Sequence, residues 1–172
     1  MQKLIVDGYN VIHADPKLKK TVRAGMQGAR EGLIARVLRY LEHKNVQVTV
    51  VFDGRGGITD AEVVLPGRLQ VLYSATGQTA DDFIVDTLFA HPNPREFIVV
   101  TSDMADIGSR VSPVGARVLS SSEFLERIRQ GAASPAEEEA ADAVEDEPPT
   151  PREDVDFWLE QFEKRGDRGG ED

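Results

Sequence analysis

Five short apolar runs, rich in β-branched residues, punctuate the first 120 positions: LIVD at 4–7, VQVTVVFD at 46–53, LQVLYS at 69–74, FIVVTSD at 97–103 and ARVLS at 116–120. Each is nearly continuous rather than strictly alternating, which predicts strands covered on both faces. Between them the apolar spacing lengthens to that of a helix. It recurs at Met26, Ala29, Leu33, Val37 and Leu41, at Ile84, Val85, Leu88 and Phe89, and at Phe124, Leu125 and Ile128, the last group opened by Ser120 or Ser121 as cap. Strands alternating with helices predict an α/β fold with a parallel sheet and right-handed crossovers. The segment 54–68 reads as a loop, and its GRGG start lacks the Lys-Ser/Thr ending of a P-loop.

The pattern changes at Gln130. Residues 131–153 are rich in Glu, Ala and Pro, and such a stretch buries too little apolar area to offset its ordering entropy. The expected organisation is a domain at 1–130, an acidic Pro-rich linker at 131–153, a short amphipathic helix at 154–165 and a disordered end at 166–172. Val155, Trp158, Leu159 and Phe162 form one apolar stripe of that helix, with Asp154 as its N-cap. A helix this short is marginal alone, so the stripe is expected to fold against a groove on a protein partner or on its own domain.

With 40% hydrophobic and 29% charged residues, the chain can build a core of ordinary size. It has no cysteine, which excludes a disulfide framework, a thiol nucleophile and zinc sites of the Cys type. Any metal must be held by oxygen or histidine. No run approaches the roughly 18 apolar residues that cross a bilayer, and no signal-peptide pattern opens the chain, so a cytoplasmic protein without membrane association is expected. The net charge of −10 is localised: residues 1–130 carry 16 Lys and Arg against 15 Asp and Glu, whereas residues 131–172 carry 4 against 15. The globular part is balanced, and the acidity of the whole chain does not exclude a polyanionic substrate.

Three of the five expected strands end in an aspartate, at Asp7, Asp53 and Asp103. In open parallel sheets, ligands bind beyond the carboxyl ends of the strands where the strand order reverses; Asp7 and Asp103 meet there if the first and fourth strands are neighbours. One such aspartate alone is more often a turn residue, but three together are less easily assigned to turns. TADD at 79–82 resembles a capping box and starts a helix. Asp81 shares the stripe of Ile84, Val85 and Leu88 and faces the sheet, whereas Asp82 shares one with Asp86 and leans to solvent. Converging carboxylates repel unless a hard cation offsets them. An all-oxygen, thiol-free set suits Mg²⁺ or Mn²⁺, which can activate water against a phosphodiester. Asn10, three residues past Asp7, is positioned to orient a ligand or a scissile phosphate. Lys17, Lys19, Lys20 and Arg23 follow, with Arg30, Arg36 and Arg39 on the first long helix, either as phosphate contacts or as an ordinary solvated face. Tyr9 either stacks on a base or packs beside its strand.

The segments LIVDGYNVI, VVFDG, GQTADDFI and VVTSD, followed by GARVLSSSEFL, resemble the YacP-like branch of the NYN domains, in the PIN-like nuclease superfamily. The resemblance spans about residues 1–130 and leaves the tail outside. It implies a PIN-like three-layer α/β/α sandwich around a mostly parallel five-stranded sheet of order 3-2-1-4-5, with a metal-dependent endoribonuclease site. Its acidic site falls on Asp7, Asp81 and Asp103, with Asn10 beside it and Asp53 as a further acid. RNA is the implied substrate, with mRNA cleavage on the ribosome as a further implication. The rival expectation is a catalytically weak RNA- or ribosome-binding adaptor whose tail recruits a partner, and metal-dependent cleavage separates the two. A phosphatase of the haloacid dehalogenase type needs an acid two residues after Asp7, where Tyr9 stands.

Overall fold

The computed structural model describes residues 1–54 and 60–132. Most of the GRGG segment, the linker beyond Ala132, the apolar stripe at 154–165 and the chain end at 166–172 lie outside the described residues. The first compact unit is Met1–Ala133. Its strands are β1 (Gln2–Asp7), β2 (Val46–Phe52), β3 (Asp60–Leu65), β4 (Leu69–Tyr73), β5 (Phe97–Thr101) and β6 (Arg117–Ser120), in one sheet of order β3-β4-β2-β1-β5-β6. All pairings are parallel except β3 against β4. The five expected strands thus keep the order 3-2-1-4-5, and the order reverses at β1, which lies between β2 and β5.

The sixth strand corrects the five-stranded expectation, because residues read as a loop form β3. The chain returns to β4 through Leu65, Pro66, Gly67 and Arg68. There Arg68 N donates to the Leu65 carbonyl (2.9 Å) and Gly67 has φ of +69°, the geometry of a type II turn with Pro second and Gly third. Asp60 and Glu62 hide this strand from an apolar pattern.

The helices are α1 (Gly8–Ala14), α2 (Pro16–Val22), α3 (Met26–His43), α4 (Ala80–Ala90), α5 (Asp106–Val111) and α6 (Ser121–Ala132). Helix α6 passes the boundary expected at Gln130. On one face of the sheet, Val11, Leu33, Val37, Phe124 and Ile128 pack on Leu4, Val6, Val48, Val50 and Val100. On the other, Ile84, Leu88 and Ile107 pack on Ile5, Val51 and Val99. Successive strand residues therefore enter opposite cores, giving the three-layer sandwich. The α4 side is covered incompletely. Gln47, Thr49 and Gln70 are half-buried there, with Gln70 Nε2 donating to Thr49 Oγ1 (3.0 Å), and they line a cavity of about 220 Å³. No helix among the described residues is long and apolar enough to cross a membrane.

Helices α1, α2 and α5 are six or seven residues long, too short for an apolar period to register. Asp15 joins the first two. Its backbone N–H closes α1 on the Val11 carbonyl (3.1 Å), and its carboxylate accepts from Lys17 N (2.8 Å) and Leu18 N (3.0 Å) at the start of α2, where Pro16 fits the first turn. Arg36 of α3 pairs with the other carboxylate oxygen. Asp15→Ala leaves that arginine and two N–H groups without their acceptor, so a loss of about 2–4 kcal/mol is expected, read as a lower urea midpoint at unchanged m-value.

Candidate functional site

The end of β1 turns directly into α1, and each residue of the D-G-Y-N sequence has a separate role there. Asp7, 5% exposed, caps α1: one carboxylate oxygen accepts from Asn10 N (3.0 Å) and the other from Asn10 Nδ2 (2.9 Å). Asn10 Nδ2 also donates to Thr101 Oγ1 (3.0 Å), tying the end of β1 to the end of β5. The amide is thus engaged inside the protein, orienting Asp7. A Cβ on Gly8 would stand 2.2 Å from the Phe52 ring, so glycine is what lets that ring lie against the start of α1. Tyr9 packs edge-on against the same ring, with centroids 5.1 Å apart.

The other acids arrive from neighbouring elements. Asp53, just past β2, accepts from Ala80 N (2.6 Å) and Thr79 Oγ1 accepts from Asp82 N (3.1 Å), which together fix the start of α4. Asp81, in its first turn, is half-buried and turned inward, and its Oδ1 is buried with no hydrogen-bond partner among the described residues. Asp82 turns away to Arg110 (2.7 Å), whose guanidinium holds the Asp82 carboxyl below its usual range. Asp103 follows β5; its N–H donates to Thr101 Oγ1 (3.0 Å) and its Oδ1 accepts from Asp106 N (2.9 Å) at the start of α5. Carboxylate oxygens of Asp81, Asp103 and Asp106 lie within 4.8 Å of one another. Asp106, whose place in the sequence suits either an accessory ligand or a helix start, joins Asp81 and Asp103. Its spacing three residues after Asp103 is equally that of a helix start, and it serves as one. Asp7 and Asp53 stand outside this trio, yet both bear on it. Burial foremost, then hydrogen-bond contact with Asp81, pushes the Asp7 carboxyl up to about 7; the Asn10 N–H opposes this, and the charges of Asp81 and Asp53 add to it.

A family model described as YacP-like NYN domain matches residues 4–162. The chain belongs to that family. It is similar to the uncharacterized protein YacP of Bacillus subtilis (strain 168), at 32% identity over 109 residues, 62% of this chain and 63% of that protein. The chain thus spans about 63% of the length of the curated relative that it matches. A crystal structure of a mutant of Rae1 (YacP) from Bacillus subtilis matches with a TM-score of 0.63 at 28% identity, covering 76% of this chain and 77% of that one. A second, of Rae1 (YacP) without the mutation, matches with a TM-score of 0.62 at 26% identity, covering 96% and 95%. The match to this YacP-like NYN domain family runs to residue 162, beyond the motifs that carry the resemblance.

The acidic residues of this YacP-like NYN domain fit a hard divalent cation. Their donors are all oxygens, one buried oxygen lacks a partner among the described residues, and burial together with its acidic neighbours pushes the carboxyl that caps α1 up to about 7. The basic candidates divide. Lys17, Lys19, Lys20 and Arg23 are exposed on α2 and its C-cap, with Leu18 buried between them. Arg36 pairs with Asp15, whereas Arg30 stands half-buried among aromatic rings with the Tyr9 hydroxyl as its acceptor and no carboxylate within ion-pair distance among the described residues. Tyr9 is a packing residue.

A raised carboxyl has a defined consequence for stability. In metal-free protein, the contribution of protonated Asp7 is complete below about pH 4 and is lost as pH rises through about 7. Asp7→Asn should therefore gain on the wild type across that interval, by more than about 1.4 kcal/mol at pH 8, and excess Mg²⁺ or Mn²⁺ should raise the melting temperature of the wild type alone. Parallel stability curves from pH 4 to 8 would refute the assignment.

Proposed function

We propose that the chain is a divalent-metal-dependent endoribonuclease that hydrolyses RNA phosphodiester bonds, with Asp7, Asp81 and Asp103 holding Mg²⁺ or Mn²⁺ and Asp53 supporting them. The observation that carries this reading is the partnerless buried oxygen of Asp81, flanked by Asp7 on one side and by Asp103 and Asp106 on the other. An unsatisfied buried acceptor among like charges is expensive, and a cation removes both penalties at once. Membership of the NYN family supports a nuclease. When bound, a hard cation neutralises charge on a phosphate and lowers the pKa of water. The protein's own groups do the rest. Asn10 and Thr101 keep the Asp7 and Asp103 ends of β1 and β5 in register, and Arg110 holds Asp82 out of the cluster. Lysines of α2 bind backbone phosphates. The family resemblance extends the proposal to mRNA on the ribosome, with the stripe of Val155, Trp158, Leu159 and Phe162 as a protein-partner motif.

Incubating the purified chain with labelled RNA, free or on translating ribosomes, in Mg²⁺, Mn²⁺ or EDTA tests this directly. Asp7→Asn and Asp81→Asn should each lower the cleavage rate on the order of 10²-fold or more, while Asp82→Asn stays close to wild type. Cleavage that persists in EDTA, or in both the Asp7 and the Asp81 variants, overturns the metal assignment. RNA binding without cleavage under every metal condition supports the adaptor instead.

Neutralising Lys17, Lys19 and Lys20 together should flatten the salt dependence of single-stranded RNA binding, by about 0.7 in the slope of log K against log salt for each phosphate that is no longer neutralised. An unchanged slope would mean that α2 faces away from the RNA.

A further inference from the structure

We infer that Arg30 is an RNA-phosphate-binding residue, its guanidinium held by an aromatic cage at the carboxyl ends of the strands, on the α3 face of the sheet; this rests on the reading of RNA as substrate. The Arg30 Cζ lies 5.5 Å from the Tyr9 ring centroid, 5.4 Å from that of Phe52 and 5.5 Å from that of Tyr73. The rings themselves interlock, Tyr9 on Phe52 at 5.1 Å and Phe52 on Tyr73 at 5.9 Å. Tyr9 stands two residues past Asp7, and Phe52 immediately precedes Asp53. The cage is therefore built on the same strand ends as the acids, displaced along the sheet toward β4.

What distinguishes Arg30 is what its fork lacks. Four arginines are half-buried among the described residues. Arg36 is paired with Asp15, and Arg110 with Asp82 and Asp106. Arg68 donates to the carbonyls of Val46, Leu41 and Lys44. Arg30 has no carboxylate within ion-pair distance among the described residues. Among the described residues its acceptor is the Tyr9 hydroxyl, and its Nε is buried without a partner. A partly desolvated cation without a carboxylate partner is a poor structural filler, but it is a suitable receptor for an anion. The rings hold the planar fork without neutralising it, so its orientation is set before the ligand arrives.

The surroundings fit a polyanion rather than a lone carboxylate. Helix α2 packs on the part of α3 that carries Arg30: Thr21 lies 3.3 Å from where a Cβ on Gly28 would stand, and Leu18 lies 2.8 Å from the corresponding point on Gly32. The exposed Lys17, Lys19, Lys20 and Arg23 are thus on the helix next to it. Arg30 differs from them in being half-buried among rings that set its orientation, a property suited to holding one phosphate.

The test uses the full chain and a labelled single-stranded RNA oligonucleotide. Binding is measured in EDTA across a salt series, and cleavage is measured in Mg²⁺ or Mn²⁺. Arg30→Gln should weaken binding about 10-fold, lower the salt slope by about 0.7, and raise KM more than it lowers kcat. A merely structural arginine would lower the melting temperature and leave the slope and KM unmoved, which overturns the inference. Should Arg30→Gln fail to fold, Arg30→Lys and Tyr9→Phe decide: the first keeps charge without the fork, the second keeps the ring without the tether, and both should raise KM. Wild-type KM in both overturns the inference while leaving the nuclease reading intact. Wild-type protein that neither binds nor cleaves RNA overturns both.

Discussion

The parallel arrangement of β1, β2 and β5 forces the carboxyl ends of three neighbouring strands onto one edge of the sheet, and each of those ends carries an aspartate. Repulsion among them is the constraint to which the surrounding structure answers. Three of the acids are met by backbone N–H groups at helix starts: Asp7 by Asn10 in α1, Asp53 by Ala80 in α4 and Asp103 by Asp106 in α5. At Asp7 the Asn10 N–H favours the ionised form, but burial and the adjoining Asp81 outweigh it. Asp81 Oδ1 is buried with no hydrogen-bond partner among the described residues. That unsatisfied oxygen among like charges is the ground for proposing a cation there.

The long elements were legible because their apolar patterns are long. Strand ends, the stripe of α4 and the inward turn of Asp81 follow from spacing alone, and the separation of Asp81 from Asp82 holds because a helix start puts consecutive residues on different faces. What escaped was short or polar. Helix α1 has seven residues and begins at the strand end itself, so the DGYN segment reads as a loop. Strand β3 carries Asp60 and Glu62, and only the Pro66-Gly67 pair signals its hairpin. Asp106 could not be separated from a capping residue by spacing, because in the folded chain it is at once a helix start and a neighbour of Asp81 and Asp103. The pairings of Arg30 and Arg36 depend on residues 21 positions away, a distance that no local pattern encodes.

Those pairings also explain why whole-chain charge is a poor guide here. The domain is nearly neutral, yet its charges are sorted. The acids gather where β1 meets β5, and cations follow α2 and the adjacent turns of α3. Arg36 is tied to Asp15, and Arg110 to Asp82 outside the cluster and to Asp106 within it. This leaves a negative centre flanked by a positive approach, the distribution that draws a polyanion toward a cation-loaded site and is screened by salt beyond about 10 Å.

If Asp7 holds the proposed cation, proton and cation compete there. A carboxyl held near neutrality gives up its proton when a cation arrives, so affinity for the ion rises with pH through the same range in which the metal-free fold loses stability. The strain and the function share one cause. If Asp7 were given enough hydrogen bonds to ionise freely, the fold would gain stability, but the site would lose much of its need for a cation. Holding it between Asn10, which favours the charge, and Asp81, which opposes it, keeps the carboxyl responsive. The short helix α1 is what makes this possible, since it caps on Asp7 itself and, through Asp15, leads straight into the lysines of α2.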